Sequence, residues 1–209
     1  MFLNILSYLQ PLLLLTFVYF LIRQKRVAWL FVTLAYAYPF LSEIIKLSQA
    51  VTVPVDYYLY AIPNALLYLA VAILGLLTSK SQHLVAIRQR SDYIKLFSRT
   101  AIVLFIYLII NLVIAFRFTM ENFEASAFLS ALYTLDDIFT LIGLVLAILR
   151  YRICLLFLVV GFTLTALINI YFIFSLPQYY LHSLANYYFL IITILTVIVL
   201  LYGYLKNNR

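Results

Sequence analysis

Two consecutive acids, Asp136 and Asp137, stand in a long run that carries no other charge, and a third, Glu43, stands in another such run. Carboxylates held among apolar residues would bind a cation, share a proton, or act as an acid–base pair. The nearest basic residues are Lys46 and Arg117. Lys46 is spaced i,i+3 from Glu43 and would pair with it locally. Arg117 would turn Asp136 or Asp137 into a structural salt bridge. If the chain is an enzyme acting on a lipid, Asp136, Glu43 and Asp137 are its candidate catalytic groups, with Tyr60 or Tyr68 positioning the substrate.

The motifs of better-known chemistries are missing. Four glycines leave no phosphate-cradling loop, and there is no HExxH, CxxC or GxSxG. A lone Cys154 cannot form an internal disulfide or a cysteine-based metal cluster and reads as a small apolar filler. His83 and His182 fall in loops on opposite sides of the chain's expected topology. No metal site is expected, and no cofactor can be named. The last apolar span holds no lysine at membrane depth for a retinal Schiff base.

The chain is 67% hydrophobic, with a mean hydropathy of +1.10. A soluble domain of 209 residues could not bury so much apolar surface. A spanning helix needs about 20 largely apolar residues. Spans are predicted at 2–22, 27–47, 57–77, 100–118, 130–149, 153–174 and 186–205. Together they make residues 1–209 a single polytopic domain, an all-α seven-transmembrane-helix bundle. The first span has no basic n-region before it, runs too long for a signal-peptide core and has no small-residue cleavage site, so it is expected to stay in place.

Charge orients the bundle. All 14 basic residues except Lys46 and Arg117 fall in alternate connections or at the C-terminus. They cluster as Arg23, Lys25, Arg26; Lys80, Arg88, Arg90, Lys95, Arg99; Arg150, Arg152; and Lys206, Arg209. Of seven acidic residues, only Asp92 falls with them. The positive-inside rule then places the N-terminus outside and the C-terminus in the cytoplasm. The net charge of +7 is explained by these loops and by anionic headgroups, with no nucleic-acid partner implied. Short loops suit a bacterial inner (plasma) membrane. Residues 80–99 would form either an interfacial amphipathic segment or helical extensions past the bilayer, and they offer a docking surface for a protein partner. A sensory or structural subunit ending directly after its seventh span would need one.

Depth and helical phase place the polar residues. If the fifth helix began after the aspartates, residues 138–149 would span only about 18 Å, short of the ~30 Å hydrocarbon core. Both acids therefore lie within the membrane. Asp136, Thr140, Gly143 and Ala147 share a small, polar stripe. Asp137 shares its stripe with Leu141, Leu144 and Ile148 and is expected to reach toward the interface or a neighbouring helix. Similar stripes are Tyr36, Pro39, Glu43 and Lys46; Tyr57, Tyr60, Asn64 and Tyr68; Tyr107 and Asn111; and Gly161, Thr165 and Asn169. Thr193 and Thr196 lie below Asn186. Gln10 occupies the same zone of the first helix, near Pro11. The alternative for the amides and hydroxyls is packing glue between helices, and for the paired tyrosines an interfacial aromatic belt.

Converging stripes would enclose an outward-facing acidic and tyrosine-rich cavity. The expected ligand set is Asp136, Glu43, Asn64, Asn111, Asn169, Tyr60, Tyr68 and Gln10. The leading expectation is a membrane transporter or binding protein for a polar or cationic solute. A lipid-directed enzyme and a partner-bound subunit are the alternatives. Pro11, Pro39 and Pro63 interrupt the first three spans and none interrupts the last three, so no duplicated architecture is expected.

Overall fold

The computed structural model describes residues 2–48, 55–78, 84–85, 90–118, 127–175 and 184–206. They form seven helices: α1 (Phe2–Ile22), α2 (Ala28–Ser48), α3 (Val55–Thr78), α4 (Arg90–Phe118), α5 (Ala127–Ile148), α6 (Cys154–Ser175) and α7 (Leu184–Lys206). No named strand occurs among the described residues. Five of these helices, α2, α3, α5, α6 and α7, are long and apolar enough to cross a membrane, and the described apolar parts of the other two are Tyr8–Ile22 and Leu96–Asn111. The chain is a membrane-embedded bundle. Helix bounds fall within a few residues of the predicted spans except at α4, which begins at Arg90 rather than near residue 100.

That early start settles part of residues 80–99. Leu84, Ile87, Ile94 and Phe97 have the rough helical spacing of the expected amphipathic segment, and of these Ile94 and Phe97 lie on the first turns of α4, 63% and 77% exposed. Just before them Val85 pairs with the α5–α6 turn. Its N–H donates to Arg150 O (2.7 Å) and its carbonyl accepts from Arg152 N–H (3.1 Å), a single parallel bridge to Tyr151. The other residues of this stretch that could dock a partner, 80–83 and 86–89, lie outside the described residues.

The helices close a ring. In order, α1 packs on α2, α2 on α3, α3 on α5, α5 on α6, α6 on α7, and α7 back on α1. Helix α4 stands outside the ring against α3 and α5. Its outward side is strongly apolar, with Ile102, Phe105 and Leu108 more than half exposed, as a lipid-facing surface should be. The buried core runs through Phe17, Trp29, Leu141, Leu155 and Leu158, which bridge α1, α2, α5 and α6.

A repeat is built into this ring. Helix α1 ends with Gln24 N–H donating to Leu21 O and Lys25 N–H to Phe20 O. Helix α5 ends with Arg150 N–H donating to Ala147 O and Tyr151 N–H to Leu146 O. Both are Schellman closures with a left-handed residue, Gln24 (φ 57°) and Arg150 (φ 65°), where glycine is usual. The next helices start identically, with Ala28 N–H to Lys25 O and Cys154 N–H to Tyr151 O. Superposing Gln24 on Arg150 pairs the buried Ala28, Trp29 and Val32 with the buried Cys154, Leu155 and Leu158. The halves α1–α3 and α5–α7 also pack alike, and the first helix of each meets the third helix of the other. The expectation of no duplication rested on the prolines; the turns after α1 and α5, and the packing order of the three-helix units α1–α3 and α5–α7, are alike without them.

Candidate functional site

The two aspartates, about 100° apart around α5, face different neighbours. Asp137 joins three helices. Tyr68 Oη on α3 donates to its Oδ1 (2.6 Å) and Tyr107 Oη on α4 donates to its Oδ2 (3.0 Å). Asn64 also stands beside this carboxyl, with its own Oδ1 buried and without a hydrogen-bond partner. Tyr36 of α2 stacks on Tyr68 with ring centroids 4.8 Å apart. Of its two expected courses, Asp137 therefore takes the one toward neighbouring helices rather than the one toward the interface. Leu141 and Leu144 on its stripe are almost wholly buried, because α3 and α4 cover that side of α5. An apolar stripe in a membrane helix packs against protein as readily as against lipid.

Asp136 turns toward α6. Thr165 Oγ1 lies 3.0 Å from both of its carboxyl oxygens, and Thr140 Oγ1 lies 3.4 Å from Oδ1. The small residues of the Asp136 stripe allow this approach. At Gly161 a Cβ would overlap Thr140, and at Gly143 it would overlap Leu158. Among the described residues no basic side chain pairs with either aspartate, since the one salt bridge found there is Lys46–Glu43. The side chain of Arg117 lies outside the described residues. Membrane burial of an acid costs roughly 2.5–3.5 kcal/mol at a helix centre, and each hydrogen bond to a charged group returns about 1.5–3 kcal/mol. Two phenols offset that cost at Asp137. Asp136 has threonine hydroxyls alone, so it is the less compensated acid.

The remaining candidates separate. Glu43 is bound to Lys46 Nζ at 2.6 Å through Oε1, while its Oε2 is buried without a hydrogen-bond partner. No hydrogen bond links Glu43 to Asp136 or Asp137 among the described residues. Asn111 Nδ2 donates to Tyr107 O, and Asn169 Nδ2 to Thr165 O, each on its own helix. The side chains of Tyr57, Tyr60 and Asn186 lie outside the described residues, as do His83, His182 and the connections 119–126 and 176–183.

Beside Asp136 lies a cavity of about 330 Å³ between α1, α6 and α7. Gln10, Pro11 and Leu14 line it from α1; Phe162, Thr165 and Asn169 from α6; and Phe189, Thr193 and Thr196 from α7. Thr165 is thus both cavity wall and hydrogen-bond partner of Asp136. Of the eight residues read from the sequence as ligands, Gln10 and Asn169 meet at this cavity, whereas Asn64 and Tyr68 belong to the Asp137 cluster. The roles of Tyr107 and Phe189 were not foreseen. Tyr107 stood in a recognised stripe with Asn111, but nothing in that stripe points to Asp137.

The repeat relates the two clusters. With Gln24 on Arg150, the cavity positions Gln10, Pro11 and Leu14 fall on Asp136, Asp137 and Thr140. Likewise Phe162, Thr165 and Asn169 fall on Tyr36, Pro39 and Glu43. One set of equivalent positions lines an open, uncharged cavity. The other set holds all three intramembrane acids.

No family model, curated protein or solved structure matches this chain. Fold and site define it as a polytopic seven-helix membrane protein. Its half-buried aspartate pair lies next to a mostly apolar cavity that carries a few amides and hydroxyls.

Proposed function

We propose that this protein is a membrane transporter or binding protein for a small polar or cationic solute, held in the cavity between α1, α6 and α7. The observation that carries this reading is the cavity itself. It is large enough for a small organic molecule, has a mostly apolar wall set with two amides and three hydroxyls, and lies where helices of the two three-helix units meet. Repeat units enclosing a central site are a recurring transporter design, in which one unit rocks against the other. The distribution of basic residues supports an orientation with the Tyr8 and Tyr188 end outside and the Gln24 and Arg150 turns in the cytoplasm, as in a bacterial inner membrane.

The reading is tested by thermal stability of the purified protein against a panel of small polar metabolites, amines and inorganic cations. A ligand bound to the native state at a hundredfold excess over its dissociation constant stabilises by about 2.7 kcal/mol. A hit should vanish in Asn169→Leu, which fills the cavity with an apolar side chain, and in Gln10→Leu on the opposite wall. Hits that persist in both variants, or a panel with none, would remove the cavity as a solute site.

A further inference from the structure

The threonine hydroxyls of the cavity wall have already given up their protons. Thr193 Oγ1 donates to Phe189 O (2.7 Å) and Thr196 Oγ1 to Ile192 O (2.8 Å). Thr165 Oγ1 has one proton, and its acceptors are Asp136 and, less closely, Gly161 O (3.3 Å). Asn169 turns one N–H back to Thr165 O (2.9 Å). A hydroxyl that has donated its proton offers only lone pairs. Most of the wall is apolar, and its polar part offers more acceptors than donors: three threonine oxygens and the amide oxygens of Asn169 and Gln10, against the amide N–H groups left on those two residues. Pro11 has no N–H, so Ser7 O on α1 also loses its intrahelical donor.

Two further features select among donor-bearing ligands. The rings of Phe162 and Phe189 are part of the wall, and aromatic faces attract cations. Directly behind Thr165 stands Asp136, for which no basic partner exists among the described residues. A neutral alcohol would bring its own lone pairs to a wall with few donors left. An ammonium group brings donors and no acceptor. From this census we infer that the solute is an organic ammonium ion, bound through N–H donation to the threonine and amide oxygens, with Asp136 as the counter-charge behind Thr165. This rests on the cavity being the solute site and names the class of solute it takes.

The test compares putrescine with butanediol, the same carbon chain with hydroxyls in place of ammonium groups. Binding of each to the full-length protein in lipid nanodiscs is measured by titration calorimetry. Putrescine should bind at least about tenfold more tightly than the diol, and Asp136→Asn should weaken it by about tenfold or more through loss of a nearby charge at low dielectric. Thr193→Val removes one acceptor without touching either aspartate and should weaken putrescine while leaving the fold intact. Equal or tighter binding of the diol overturns the inference, as does putrescine binding unchanged in both variants, or no binding of putrescine at all. A neutral solute whose binding is lost in Asn169→Leu would overturn the ammonium assignment and leave the cavity as a solute site. Loss of both would remove the site itself.

Discussion

Asp136 and Asp137 are chemically identical neighbours that the fold uses differently, and partner geometry decides how. Asp137 is tied to α3 and α4 by two phenols, while Asp136 touches the hydroxyls of α5 and α6. Tyr68→Phe should therefore cost about 1.5–3 kcal/mol in thermal unfolding, the range for a hydrogen bond to a charged group. In an Asp137→Asn background the same substitution should cost much less, giving a coupling of about 1–3 kcal/mol in a double-mutant cycle. Equal costs in both backgrounds would mean that Tyr68 contributes only packing. The sequence made the depth of these acids legible, because no shorter helix could span the bilayer. It placed Asn64 and Tyr68 on one stripe for the same reason of period. It did not make the direction of Asp137 legible. Leu141 and Leu144 pack as well against another helix as against lipid tails, so apolar periodicity carries no sign for inside or outside in a membrane.

At the scale of elements, close approach between helices is bought with glycine. All four glycines of the chain sit where a Cβ would overlap a facing side chain: Gly75 against Trp29, Gly143 against Leu158, Gly161 against Thr140 and Gly203 against Ile22. Gly161 is the most consequential, since backbone atoms of Thr140 also stand close to the added carbon. Side-chain rotation alone cannot relieve that contact, so α5 and α6 must part. Gly161→Ala should lower stability by about 1–3 kcal/mol, the range for overpacking. It should also stretch the Thr165–Asp136 contact, read as loss of any Asp136-dependent ligand stabilisation. An alanine variant as stable as wild type would show that the two helices have slack. The likeness of the two three-helix units was hidden at this same scale. Aligned through Gln24 and Arg150, the first two helices of each unit share residues such as Leu15 with Leu141 and Phe31 with Phe157, and the one shared polar residue is Arg26 with Arg152. Leucine and phenylalanine coincide easily in a chain this apolar. The recurrence became visible in backbone hydrogen bonds and left-handed turns, which side-chain identity does not reveal.

For the whole molecule, two seams join the repeat units, and they are fastened unequally. The α3–α5 seam carries the Tyr68–Asp137 bond and is spanned outside by α4, whose Tyr107 reaches the same carboxyl. Each of these charged bonds is worth about 1.5–3 kcal/mol. The α1–α7 seam is the longer contact, and it is held differently at its two ends. At the basic end Gly203 lets α7 close on Ile22. At the far end Tyr188 Oη donates to Tyr8 O (2.9 Å), and the Tyr8 ring meets Tyr188 edge-on and Phe189 face-on. A neutral hydrogen bond contributes about 0.5–1.5 kcal/mol, as does each aromatic contact. The cavity lies along this second seam, between its anchored end and its tyrosine end. Opening should therefore occur by parting α1 from α7 at Tyr8 and Tyr188, with the basic end as pivot and the α3–α5 seam staying shut. Spin labels test this on a Cys154→Ala background, paired at the exposed Leu9 and Ile191 across one seam and at Leu66 and Leu135 across the other. In lipid nanodiscs the Leu9–Ile191 distance distribution should be the broader, and Tyr188→Phe should broaden it further without changing the Leu66–Leu135 distribution. If the Leu66–Leu135 pair is instead the broader, the phenol–carboxylate bonds of Asp137 are the ones that break and re-form. The aspartate cluster, rather than the tyrosine contact, would then be the gate.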